Sequence, residues 1–125
     1  MWYSEEDITP VEPVELIGFE RPDNTSRGVL NKLLAQVSVW KTPDYKCCIV
    51  SVDSPGFTVE LTNSLRENVA SMLETNRSKV MVCFSHTHAA PNAGTNEEYY
   101  NYVCERIIKA IKRAGEDLSP VKVAW

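Results

Sequence analysis

Histidine is nearly missing from this chain of 125 residues: it occurs twice, as His86 and His88. Positive charge is also short, since 13 Lys and Arg face 17 Asp and Glu, for a net charge of -4. That balance gives no general attraction for nucleic acid or an anionic bilayer. No apolar run approaches the roughly 20 residues a membrane-spanning helix needs. The acidic opening "MWYSEEDITP" lacks the apolar core of a secretory leader. The four cysteines, Cys47, Cys48, Cys83 and Cys104, contain no Cys-x-x-Cys pair. Three lie in apolar patterns where a thiol packs as a small hydrophobe, Cys83 among them, so reduced thiols and a cytoplasmic setting are expected. Repeats, low-complexity tracts and linker-like stretches are absent too, which leaves a single domain over residues 1–125 as the expectation.

What remains is an ordinary globular composition with clear punctuation. Residues 1–28 carry Pro10, Pro13 and Pro22 and are expected to be extended or irregular, with Val14 to Phe19 as a candidate short strand. "LAQVSVW" (Leu34 to Trp40) alternates and predicts a strand. "CCIVSV" (Cys47 to Val52) and "KVMVCF" (Lys79 to Phe84) are almost wholly apolar, as strands buried on both faces are. Between them, Val59 to Asn76 places Leu61, Leu65, Val69, Met72 and Leu73 on one helical stripe. A second helix is predicted after the histidines, opened by Thr95 and Glu98 at capping-box spacing and closed by Gly115. "VKVAW" (Val121 to Trp125) would be a last strand. Strand, helix, strand, helix, strand predicts an α/β fold: a mainly parallel sheet with helices packed on it.

Both histidines follow directly on an apolar strand pattern, in "KVMVCFSHTHAAPNAG". In open parallel sheets, ligands bind beyond the carboxyl ends of strands. Asp53 stands at the corresponding end of the neighbouring strand, before Ser54-Pro55-Gly56. Alternate side chains of an extended segment point the same way, so His86 and His88 can offer two nitrogens to one metal. With a carboxylate from Asp53, zinc is the metal such a donor set suits. The same spacing equally allows two imidazoles that hydrogen-bond to nearby carbonyls, and an Asp that only forms a turn. Ser54, Ser85 and Thr87 supply hydroxyls, but no nucleophile elbow accompanies them. Trp40, Tyr99, Tyr100 and Tyr102 could wall a lipid or aromatic pocket, although core packing is the commoner use of such residues.

"SHTHAAPNAG" resembles the Thr-His-Thr-His-Ser-Gly-Pro-Gly-Gly loop of the neutral, non-lysosomal ceramidase family. The resemblance continues outward in order. "DITP" (Asp7 to Pro10) is similar to the family's N-terminal strand signature, and "LIGF" (Leu16 to Phe19) to its Met-x-Gly-Tyr segment. Gly28 and "LLAQVSVW" resemble its Gly…Ala-Arg-Ala strand, and "CCIVSVDSPG" the strand ending in Asp-Leu-Gly. The chain departs from the pattern at Gln36, Ala89, Ala90 and Asn92, and keeps Pro91.

The resemblance implies zinc-dependent hydrolysis of an amide, with a small N-acyl amide or lipid-like substrate. It assigns His86 as a metal ligand and His88 to the same site, as a second ligand or a group that orients substrate or water. Asp53 joins them as a catalytic or ligand carboxylate on the strand-end argument. The family's further ligands (a histidine, a glutamate and a tyrosine) come from farther along its chain, and there is no third histidine here. Three expectations follow: a fragment of a longer hydrolase, a small relative whose site is completed across a homo-oligomer, or a non-catalytic binding or assembly module that keeps the scaffold.

Overall fold

The computed structural model describes residues 1–114 and 118–124. Strand β1 (Trp2–Asp7) runs antiparallel to β2 (Leu34–Lys41), which runs antiparallel to β3 (Lys46–Val52). Helix α1 (Val59–Met72) and a 3-10 turn (Arg77–Lys79) lead to β4 (Val80–Phe84), which pairs in parallel with β3, and α2 (Glu97–Ala114) follows the histidine loop. The described sheet has the order β1-β2-β3-β4.

The expected mainly parallel sheet is therefore corrected to a mixed and mostly antiparallel one. The reason lies in chain length between strands. Residues 42–45 join β2 to β3, with the Thr42 N–H donating to Tyr45 O at 2.8 Å. A parallel crossover needs about a dozen residues or more, and so short a connection can only make a hairpin. The β3–α1–β4 segment is long enough, and there the parallel expectation holds, with Cys48 opposite Val80 and Val52 opposite Phe84.

β1 lies in the stretch expected to be irregular. Its register sets Trp2, Ser4 and Glu6 opposite Val39, Val37 and Ala35, so Glu6 occupies a core-facing position. A carboxylate there erases the apolar alternation that would have announced a strand. It is held by α2: Arg113 pairs with Glu6, and Arg106 lies 3.9 Å from its other oxygen. The candidate strand Val14 to Phe19 is reduced to isolated bridges, Glu15 to Thr25 and Leu16 to Pro91. Val121 to Ala124 form no strand, and the expected cap Gly115 and the end of that segment, Trp125, lie outside the described residues.

Both helices cover the same side of the sheet. Ala35, Val37, Val39, Cys48, Val50, Val52 and Val80 are buried there against Leu65 and Val69 of α1 and Val103, Ile107 and Ile111 of α2. α1 opens on Thr58, whose hydroxyl accepts from Leu61 N–H at 3.2 Å. It ends four residues sooner than the stripe suggests, because Glu74 turns left-handed at φ 52°. α2 is capped by Asn96 rather than Thr95: its Oδ1 accepts from Tyr99 N–H at 2.9 Å. Tyr99 and Tyr100 are buried in the core, and Tyr102 packs against it. Tyr100 donates its hydroxyl to Leu61 O at 2.9 Å, and burial pushes its pKa up to about 12. The other sheet face, with Ser38, Cys47, Ile49, Met81 and Cys83, carries no helix among the described residues, so β3 and β4 are buried on one face and not two.

Candidate functional site

The parallel pair brings the ends of β3 and β4 to the same edge, and the three expected site residues all follow from those ends. Asp53 is stapled to β2: its Oδ2 accepts from Leu34 N–H at 3.0 Å, and its own N–H donates to Leu34 O at 2.9 Å. It closes the strand end as a turn-forming Asp does, while lining a cleft. The cleft encloses about 770 Å³ between the loop after β1 and the histidine loop, and Asp53, Thr87, Lys32 and Arg21 are among its walls. Tyr99 stands near Asp53. Burial, foremost, raises its hydroxyl pKa, with further contributions from Tyr102 and Asp53.

His86 leaves β4 at φ 58°, a left-handed conformation that a residue with a side chain adopts at a cost of about 1–2 kcal/mol. The conformation swings its ring toward the loop after β3, where Nδ1 meets Pro55 O at 2.7 Å. A carbonyl only accepts, so Nδ1 carries a proton, and in the neutral ring the lone pair is then on Nε2. That tautomer is the one a metal-ligating imidazole needs, its other nitrogen held by an oxygen acceptor.

His88 packs edge-on against His86 with ring centroids 5.1 Å apart, and against Phe19 at 5.8 Å. Its position depends on Gly18, at φ +90°, where a Cβ would overlap the His88 ring. The Leu16–Pro91 bridge fixes this crossing of the two loops. Gly18 and Phe19 are thus part of the site, although the sequence offered them as the tail of a candidate strand and the end of the family-like segment Leu16 to Phe19, with no site role. Their signal was the Gly-Phe step itself, a glycine ahead of an aromatic at the end of an apolar stretch.

His86 and His88 are brought together; Asp53 shares their edge of the sheet but has no hydrogen bond or ion pair to either ring among the described interactions. Among the described residues no group of three His, Cys, Asp or Glu is placed to hold a metal ion. The donor chemistry of His86 fits zinc, and the donor count of this chain alone falls short of the roughly three protein ligands of a catalytic site. The four cysteines are free. Cys83, expected to be packed, is exposed on the uncovered sheet face, while buried Cys48 has its pKa pushed up to about 12 by desolvation. None of the described helices is long and apolar enough to cross a membrane.

No family model matches the chain, and no curated protein matches it in sequence. Among solved structures, the fold is similar to the crystal structure of neutral ceramidase from Pseudomonas aeruginosa, with a TM-score of 0.72 over 94% of this chain. Identity over the match is 19%, and the chain spans 21% of the length of that solved chain. At that identity the likeness is one of fold.

Proposed function

We propose that these residues form part of a ceramidase-type hydrolase domain that cleaves the amide of a lipid-like N-acyl substrate with the help of zinc. The observation that carries this reading is the hold of Pro55 O on His86 Nδ1, at 2.7 Å, in a residue kept left-handed at φ 58°. Strained backbone at a loop end that aims one free imidazole nitrogen is the kind of feature that functional sites retain. The ceramidase-like fold over 94% of the chain supports the same reading.

In this proposal His86 donates Nε2 to the metal. His88, wedged between His86 and Phe19, is the second donor or the group that orients substrate and water. Asp53 lines the cleft while its Oδ2 is tied to Leu34 N–H. Zinc, when bound, supplies Lewis acidity that makes water nucleophilic at neutral pH. The remaining donors come from polypeptide beyond these residues, and the chain alone is not expected to hydrolyse substrate.

The test is zinc binding by calorimetry and elemental analysis, in the chain and in His86→Asn. Asn tolerates the left-handed backbone, so the variant removes the imidazole without adding strain. One weakly held zinc per chain, with affinity reduced about tenfold or more in the variant, is the expected result. A chain that binds no zinc would turn the balance to the second reading, a non-catalytic binding or assembly module. The observation favouring that reading is the lack of a three-donor cluster among the described residues.

A further inference from the structure

β3 and β4 have sequences suited to burial on two faces and are covered on one. Val80 to Phe84 contains no charge, no proline and no glycine. Yet β4 is the last strand of the described sheet, with Met81 57% exposed, and its neighbour Ile49 is 41% exposed. The other outer strand looks different: β1 carries Glu5, Glu6 and Asp7, and carboxylates of that kind discourage pairing at an edge. On the bare face the carboxylate Glu5 lies near β1, beside Gln36, Ser38 and the aromatics Tyr3 and Trp40, whereas Ile49, Met81 and Cys83 near β4 bring no charge.

The ladder adds direction. Ser85 N–H turns inward to Val52 O at 3.1 Å. Alternation along the strand then sends the N–H groups of Val82 and Phe84 outward, to the open edge. A near-continuous apolar strand already paired in parallel on one side is typical of parallel sheets whose two faces carry helices.

We infer that β4 receives a further strand–helix unit: a strand parallel to β4 on its open edge, and an apolar helix face over Ile49, Met81 and Cys83. The unit comes from polypeptide outside these 125 residues. The fold match points the same way, because the chain spans 21% of the solved ceramidase chain. A second copy pairing edge to edge about Val82 would satisfy the outward N–H groups. It would also leave Met81 and Cys83 of both copies uncovered, so it does not account for the face. A parallel strand ends beside the carboxyl end of β4, and the loop after it would lie next to His86. That last consequence rests on the metal reading; the docking does not.

The experiment uses N-ethylmaleimide at exposed Cys83 and photo-methionine at Met81, each read by peptide mass spectrometry. The purified chain is compared with the protein isolated natively from its source. Alkylation of Cys83 is expected to be about tenfold or more slower in the native protein, as local protection would make it. Met81 is expected to cross-link to a peptide outside residues 1–125. Equal alkylation rates with no such cross-link overturn the inference. Cross-links only between differently isotope-labelled copies of this chain overturn it too, in favour of a homodimer. His86→Asn should leave Cys83 protection unchanged, which separates failure of the docking from failure of the metal reading.

Discussion

Two residues set the terms of the site without carrying chemistry. Gly18 is required twice over: φ +90° is poorly tolerated by a side chain, and the space a Cβ needs belongs to His88. Gly18→Ala should therefore cost about 1–3 kcal/mol in urea denaturation and shift the His88 ring resonances, while those of His86, held by Pro55, move less. An unshifted His88 would show that its ring is not seated as described. Asp7 closes β1 beside the cleft. Lys32, foremost, and hydrogen bonds from Thr9 hold its carboxyl pKa down to about 2. A depressed folded-state pKa means stability that is present above the unfolded value, about 3.9, and lost as pH falls through about 2. An NMR titration should find the Asp7 midpoint near 2, and Lys32→Ala should raise it toward the ordinary range. The pair is largely exposed, so its effect on stability is small.

At the scale of elements, legibility followed the apolar pattern and failed where polar residues did the joining. β2 is readable from its alternation, both helices from their 3.6-residue stripes, and β3 and β4 as short, almost unbroken apolar runs. β1 is not, since its inward residue is Glu6 and its partners Arg106 and Arg113 lie a hundred positions away. The sheet's direction is not legible in the apolar pattern, because it is set by the four residues between β2 and β3, which are too few for a parallel crossover. Within the site, His86 and His88 were legible as a pair; the Pro55 carbonyl, Gly18 and Phe19 were not, because those contacts are set by tertiary crossing and not by spacing. The Glu6 clasp invites a test. Arg113→Ala leaves a buried carboxylate with Arg106 at 3.9 Å, whereas Glu6→Gln frees two partly exposed guanidinium groups to water. Arg113→Ala should be the more destabilising at pH 7, by about 1–2 kcal/mol in urea denaturation. Equal losses in the two variants would mean that Glu6 does not depend on Arg113 as described.

For the molecule as a whole, one core explains stability and the opposite face does not contribute to it. The buried residues of the sheet join those of both helices in a single cluster, and Ile49 and Met81 lie outside it. Exposed positions that bury nothing change stability by about 0.5 kcal/mol or less when substituted. A contiguous apolar face next to an unprotected strand edge acts instead on association, since another chain can pair with it. Ile49→Thr combined with Met81→Thr keeps β-propensity while removing apolar surface. The double variant should unfold at the same urea midpoint as the parent chain and aggregate at higher concentration or temperature, read by light scattering. A lowered midpoint with unchanged aggregation would show that this face already packs within the chain, which would remove the reason for anything further to dock on β4.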